Sequence, residues 1–197
     1  MSRGRLITVE GLDGAGKTTV VEGLAAALGD VEVLREPGGV DLSERIRALV
    51  KNPALDVHPR AEALLYAAAR AQLVAERLEP LLAAGRSVLL DRFVDSSLAY
   101  QGAGRGLGVE EIRALNAFGT GGLTPDRTLL LRIGPEEGLA RIAHGEPDRL
   151  EQAGGEFFSR VAQTYDELAA AEPERFVVLD ATRPPETVLA DAIAALR

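Results

Sequence analysis

Apolar positions along the chain follow two rhythms. Short runs rich in Val, Leu and Ile stand at 5–10 (RLITVE), 31–36 (VEVLRE), 87–92 (SVLLDR), 127–133 (RTLLLRI) and 175–180 (RFVVLD). Three of them have near-continuous apolar centres, as expected of parallel strands covered on both faces. Between them, Ala- and Leu-rich stretches with helical spacing cover 17–28, 41–50, 58–84, 109–118, 135–143, 156–171 and 185–196. Such alternation predicts a doubly wound α/β fold with right-handed crossovers. No repeat or long linker divides the chain, so a single domain over 1–197 is expected. Four irregular places remain: 11–16, 35–41, 101–108 and 144–155. The first three fall where ligand loops of open α/β sheets gather. The fourth reads as a flap, at about 143–155.

Composition narrows the function. Of 197 residues, 46% are apolar and 26% charged, ordinary for a globular protein. No apolar run reaches the roughly 18 residues of a membrane span, so no membrane association is expected. The net charge of −8 and the absence of a basic stripe argue against a nucleic-acid partner. There is no cysteine, hence no disulfide scaffold, thiolate metal site or cysteine nucleophile. A cytoplasmic location is the expectation.

Of the 22 Lys plus Arg residues, only Lys17 and Lys51 are lysine. Lys17 closes the run Gly11-Leu12-Asp13-Gly14-Ala15-Gly16-Lys17-Thr18, which satisfies the phosphate-loop pattern G-x-x-x-x-G-K-[ST]. A chance match is expected in about one such sequence per several hundred. The strand before the loop and the helix after it reduce that further. Gly11, Gly14, Ala15 and Gly16 let backbone N–H groups converge on phosphate oxygens at a helix N-terminus. Lys17 suits the β- and γ-phosphates, because an ammonium on a flexible stem can follow a moving phosphoryl group where a rigid guanidinium cannot. Thr18 offers its hydroxyl to Mg²⁺, and Thr19 completes the candidate ATP site.

A regulatory GTPase would need an N-K-x-D motif, yet the only asparagines, Asn52 and Asn116, precede Pro and Ala. A remodelling ATPase would need more chain and an apolar run ending in Asp-Glu; here the comparable strand ends VLLDR. A small kinase remains. It needs further cations near the loop and a flap that excludes water.

The stretches EGLDGAGKTT, REPGG, YAAARAQL, LDRF, SSLAYQGAGRGLG, PDRTLLL and GEPDRLEQ occur in an order that resembles the bacterial thymidylate kinase family. The resemblance covers essentially the whole chain. It implies a P-loop nucleoside-monophosphate-kinase-like fold with a five-stranded parallel sheet flanked by helices. It also implies ATP and Mg²⁺, phosphorylation of dTMP to dTDP in dTTP synthesis, and a homodimer. By the same resemblance Arg92 bridges the acceptor phosphate and the transferred group, and Asp91 acts near Mg²⁺. Tyr66, where relatives usually carry Phe, stacks on thymine, and Arg70 meets a base-edge oxygen. Ser97 and Gln101 face the thymine edge, and Tyr100 lies under the deoxyribose. Asp13 accepts from the 3′-hydroxyl. Arg35 and Glu36 belong to a loop closing over the acceptor phosphate, with Arg47 a weaker cation candidate. Arg105 reads equally as substrate-side or plain loop. With Gly14 rather than arginine in the phosphate loop, the flap supplies the catalytic arginine, Arg149, with Arg141 at its base on the ATP side. His144 reads as solvated. No general base is nominated, since a nucleoside monophosphate is already largely dianionic at neutral pH. The helix at 58–84 reads either as a dimer contact or as a core element.

Overall fold

The computed structural model describes residues 3–142 and 149–197. The expectations for His144 and for the flap over 143–148 lie outside the described residues. Five strands, β1 (Leu6–Gly11), β2 (Val31–Arg35), β3 (Ser87–Asp91), β4 (Arg127–Arg132) and β5 (Phe176–Asp180), form one parallel sheet in the order β2-β3-β1-β4-β5. Each lies within one residue of its apolar run at either end. From the central β1 the chain runs to the edge strand β2, returns to β3 and then crosses to β4 and β5, so the β3–β1 gap is the switch point where such sheets open a ligand crevice.

Helix α1 (Lys17–Leu28) starts directly after the glycine loop, and α2 (Asp41–Lys51) follows REPGG. The predicted helix 58–84 is three pieces: α3 (Pro59–Leu73), a wide π turn (Val74–Leu78) and α4 (Glu79–Ala83). The widening comes just before Pro80, which has no N–H with which to continue the ladder. After β3, α5 (Val94–Ser97) runs into a second π turn (Leu98–Gly104). The stretch read as a loop from 101 is therefore helical as far as Gly104. Next come α6 (Val109–Thr120), α7 (Pro135–Ile142), α8 (Gly155–Ala171) and α9 (Pro185–Leu196).

Three apolar clusters stand among the described residues, and the two larger hold the layers together. One joins β1, β4 and β5 to α1, α8 and α9 through Val9, Leu24, Leu129, Val161 and Ala192, all essentially inaccessible. The other packs Leu73, Leu78 and Leu82 against Leu6, Val88, Leu90 and Phe93. Burial of this kind contributes roughly 1.5–3 kcal/mol per large side chain.

The central strand also buries charge. Glu10 is fully inaccessible, and it accepts from the Phe93 amide (2.7 Å), Ser96 Oγ (2.6 Å) and Tyr165 Oη (2.8 Å). Burial and the neighbouring Asp95 carboxylate raise its pKa, against the opposing pull of Arg92. Asp95 is itself paired with Arg175 at 2.6 Å. These groups tie β1, α5, α8 and the start of β5 together beneath the C-terminal ends of the strands.

Candidate active site

At the end of β1 the chain must turn sharply into α1, and glycines permit it. Gly14 (φ 80°) and Gly16 (φ 86°) both occupy the left-handed region. A Cβ on Gly14 would lie 2.2 Å from the Gly138 carbonyl oxygen, so α7 backs directly onto the loop. Inside the loop Lys17 is buried. Its Nζ donates to the carbonyls of Gly11 (3.1 Å) and Leu12 (2.8 Å) and lies 3.8 Å from Asp13. Burial, then the positive charge of Arg92, lower its pKa to about 8, although Asp13 and Asp91 favour the ammonium.

The end of β3 supplies the facing wall. Arg92 adopts φ 69°, a left-handed conformation uncommon for a side chain with a Cβ. The turn sends its guanidinium back across the sheet. Nη2 donates to Asp13 Oδ1 (2.6 Å), and Nη1 donates to Ser96 Oγ (3.1 Å) and the Gly11 carbonyl (3.2 Å). Tyr100 underlies it, with the guanidinium carbon 5.1 Å from the ring centroid. Burial raises the Asp13 pKa, but Arg92 and Lys17 outweigh it and hold the carboxyl at about 2.

Between these walls lies a cleft of about 420 Å³. Among its twenty described lining residues seven are cations, Lys17, Arg35, Arg47, Lys51, Arg70, Arg92 and Arg141, and three are acids, Asp13, Glu36 and Asp91. Gly14, Gly16, Thr18, Tyr66, Ser97, Tyr100 and Gln101 line it as well. Most of the residues singled out in the sequence therefore share one cavity, though they come from α1, β2, α2, α3, β3, α5, the wide turn after it, α7 and the loops between them. Gly11 contributes its carbonyl to Lys17 and Arg92, while Ala15 lies within the loop and Thr19 in the first turn of α1.

Arg70 is the hub of the second wall of the cleft and is 2% exposed. Its Nε donates to Glu36 Oε2 (2.7 Å), Nη1 to Ser97 Oγ (2.9 Å) and Asn116 Oδ1 (2.5 Å), and Nη2 to the Phe93 carbonyl (2.9 Å). Burial raises the Glu36 pKa to about 7 despite the lowering effect of Arg70. Two buried carboxylate oxygens at the cleft, Glu36 Oε1 and Asp91 Oδ1, have no hydrogen-bond partner among the described residues.

Other arginines singled out in the sequence are also engaged within the protein. Arg35 Nη2 donates to both Glu44 oxygens at 2.9 Å, at the rim of the cleft. Arg141 donates to Glu137 Oε1 (2.6 Å) and to the Ala181 carbonyl (3.0 Å). Arg149 donates to the Val50 carbonyl (3.0 Å) and pairs with Glu62 at 2.6 Å, outside the cleft lining. Arg105, which reads from the sequence equally as substrate-side or plain loop, also binds Glu62 (3.0 Å).

Several residues of the site were not singled out from sequence. Glu62, Ser96, Asn116 and the buried Glu10 act through partners far along the chain, which no local spacing records. Lys51 did carry a signal: it shares with Lys17 the rarity of lysine in this chain, and it lines the cleft.

A profile of the family described as thymidylate kinase matches residues 9–192. A thymidylate kinase of Deinococcus radiodurans is 53% identical, covering 100% of this chain and 98% of the relative. One from Latilactobacillus sakei is 49% identical over 96% of this chain and 93% of its own. The crystal structure of thymidylate kinase from Ehrlichia chaffeensis superposes with a TM-score of 0.82 at 29% identity, covering 98% of both chains. With the profile spanning the phosphate loop, the Arg92 wall and α9, and relatives sharing about half of all positions end to end, the chain belongs to the thymidylate kinase family.

Proposed function

We propose that the protein transfers the γ-phosphoryl group of ATP to dTMP, giving dTDP and ADP for dTTP synthesis. The observation that carries this reading is the charge of the cleft. A chain of net charge −8 gathers, among the described residues, seven cations against three acids around one cavity that begins at a phosphate loop. That arrangement suits two phosphate-bearing ligands brought face to face.

In the reaction an oxygen of the dTMP phosphate attacks the γ-phosphorus, and the bond to the β–γ bridging oxygen breaks. The acceptor is already largely dianionic, so alignment and charge stabilisation carry the catalysis. Lys17 exchanges its bonds to the Gly11 and Leu12 carbonyls for the β- and γ-phosphates, while Gly11 to Gly16, Thr18 and Thr19 cradle the donor. Arg92 stands between donor and acceptor, held by Asp13 and Ser96, and supplies bidentate donors to the transferred group. Asp13 accepts from the sugar 3′-hydroxyl, with Tyr100 beneath the deoxyribose. Tyr66 stacks on thymine, and Arg70, Ser97 and Gln101 form the base edge. Arg35, Glu36 and Arg47 border the acceptor phosphate.

Arg149 leaves Glu62 for the phosphoryl group as a flap over about 143–155 closes, and Arg141 serves the ATP side. The remainder of 1–197 acts with the flap as one catalytic domain.

Mg²⁺ fits this site. Hard oxygen donors suit it, and the buried Asp91 Oδ1 lines the cleft with Thr18 while lacking a hydrogen-bond partner among the described residues. Thr18 and Asp91 would hold the ion, which when bound neutralises phosphate charge.

A homodimer is supported by the outward apolar residues of neighbouring helices. Phe118 on α6 is 91% exposed and Leu64 on α3 is 58% exposed, with Leu42 and Leu49 of α2 also exposed. A second copy would cover them. No helix among the described residues is long and apolar enough to cross a membrane. The cytoplasm, which supplies both nucleotides, is the proposed location, and no nucleic-acid partner is proposed.

The test is phosphoryl transfer from Mg·ATP to a panel of dTMP, dUMP, dCMP, AMP and GMP. Preferential dTDP formation supports the reading. ATP hydrolysis with no phosphorylated acceptor would overturn it.

A further inference from the structure

Glu62 carries a role that no phosphate or sugar contact explains. It stands in the first turn of α3, just after Pro59, and is 0% exposed. Two guanidinium groups fix its carboxylate. Arg105 donates to it from Nε (3.2 and 3.3 Å) and Nη2 (3.0 Å), and Arg149 Nη2 lies 2.6 Å from Oε2. Its other oxygen, Oε1, accepts from Gln101 Nε2 at 2.9 Å. Gln101 is itself 2% exposed and lines the cleft.

A side-chain amide is a plate with a donor at one end and an acceptor at the other, and either face can be presented by a half-turn. A carboxylate held by Arg105, the pairing that remains when Arg149 moves to the phosphoryl group, has no hydrogen to give. The reversed amide would set two oxygens against each other, so Gln101 can meet Glu62 only through its NH₂. Its carbonyl oxygen is then the end left for a ligand.

We infer that Glu62 is a specificity-positioning residue: by locking the Gln101 amide it presents an acceptor to the base, and so selects pyrimidines that carry N3–H and rejects those whose N3 is a lone pair. Thymine and uracil have that hydrogen. Cytosine does not, and its N3 would face the Gln101 oxygen lone pair to lone pair. A buried site built to pair with one hydrogen discriminates strongly against the analogue lacking it. The inference rests on the dTMP-kinase reading, because it assigns Gln101 to the base edge.

The test compares kcat/KM for dTMP, dUMP and dCMP in the wild type and in Glu62→Gln, whose amide lets Gln101 turn either way. The dTMP-to-dCMP ratio is expected to fall by about tenfold or more, while the dTMP-to-dUMP ratio stays unchanged because both bases carry N3–H. In a Gln101→Ala background Glu62→Gln is expected to leave both ratios unaltered. A purely structural role would lower all three substrates together. Should Glu62→Gln not fold, Glu62→Asp keeps the charge for Arg105 and Arg149 but withdraws the carboxylate from Gln101. The same fall in ratio is expected there. An unchanged dTMP-to-dCMP ratio in a folded variant that still phosphorylates dTMP overturns the inference alone. A wild type that phosphorylates none of the three overturns it together with the function.

Discussion

Arg92 Nη2 and Asp13 Oδ1 lie 2.6 Å apart, joining the end of β3 to the phosphate loop at the end of β1. The pair sets the spacing of the two cleft walls before any nucleotide is present. Because the same guanidinium also bonds Ser96, which is held by the buried Glu10, its position is fixed from the core outward.

Arg92→Ala is therefore expected to lower kcat by roughly 10³-fold, the scale of losing an arginine that stabilises a transferred phosphoryl group. Arg92→Lys should recover little. A single ammonium cannot reach Asp13, Ser96 and the Gly11 carbonyl at once, and it offers no bidentate fork. Single-turnover transfer at saturating nucleotide measures this directly.

Lys17 predicts an alkaline limit. With its pKa at about 8 in the free protein, kcat/KM for ATP should fall above about pH 8, since only the ammonium pairs with phosphate. Asp13 helps hold that proton, so in Asp13→Asn the limb should move to lower pH. Stability runs the other way. The folded pKa lies below the ordinary value of 10.5, so the unfolded chain binds more protons between about 8 and 10.5. The penalty from Lys17 is present in full below that window and fades as pH rises through it. A kcat/KM profile flat to pH 10 would contradict the assignment.

Gly14 and Gly16 should separate binding from stability. Gly14→Ala sets a methyl 2.2 Å from the Gly138 carbonyl at a positive φ, and it should cost at least about 1–3 kcal/mol as well as ATP affinity. A Cβ on Gly16 meets nothing within 4 Å. That variant should lose only about 1–2 kcal/mol for its conformation, while the methyl obstructs close approach of phosphate to the loop. Urea denaturation beside ATP titration distinguishes the two.

Removing Arg70 leaves Glu36 buried without a counter-charge and strips Ser97 and Asn116 of a donor. Arg70→Ala should destabilise by about 3–5 kcal/mol and raise KM for dTMP. Adding Glu36→Gln should restore part of the stability but not the KM, as urea titration and steady-state kinetics would show.

The sheet was legible because each strand is an apolar run of strand length bounded by turn or helix signals, and the phosphate loop because its glycines and lysine are contiguous. Interrupted helices were less so. The stretch 101–108 reads as glycine-rich loop, yet it is helical as far as Gly104, where the buried Gln101, Gly102 and Gly104 hold a wide turn. Least legible were Glu10, Glu62 and Arg175, whose partners lie tens of residues or more away. A charged residue on a helix or strand reads as a solvated position until the fold brings its partner to it.

The most direct test of the account is calorimetric binding of a bisubstrate, adenosine and thymidine joined 5′ to 5′ through a pentaphosphate. If one cleft holds both nucleotides with their phosphates facing, this compound should bind at least about 10²-fold more tightly than ATP or dTMP alone, and Arg92→Ala should abolish most of the gain. Binding no tighter than ATP alone would contradict the shared cleft.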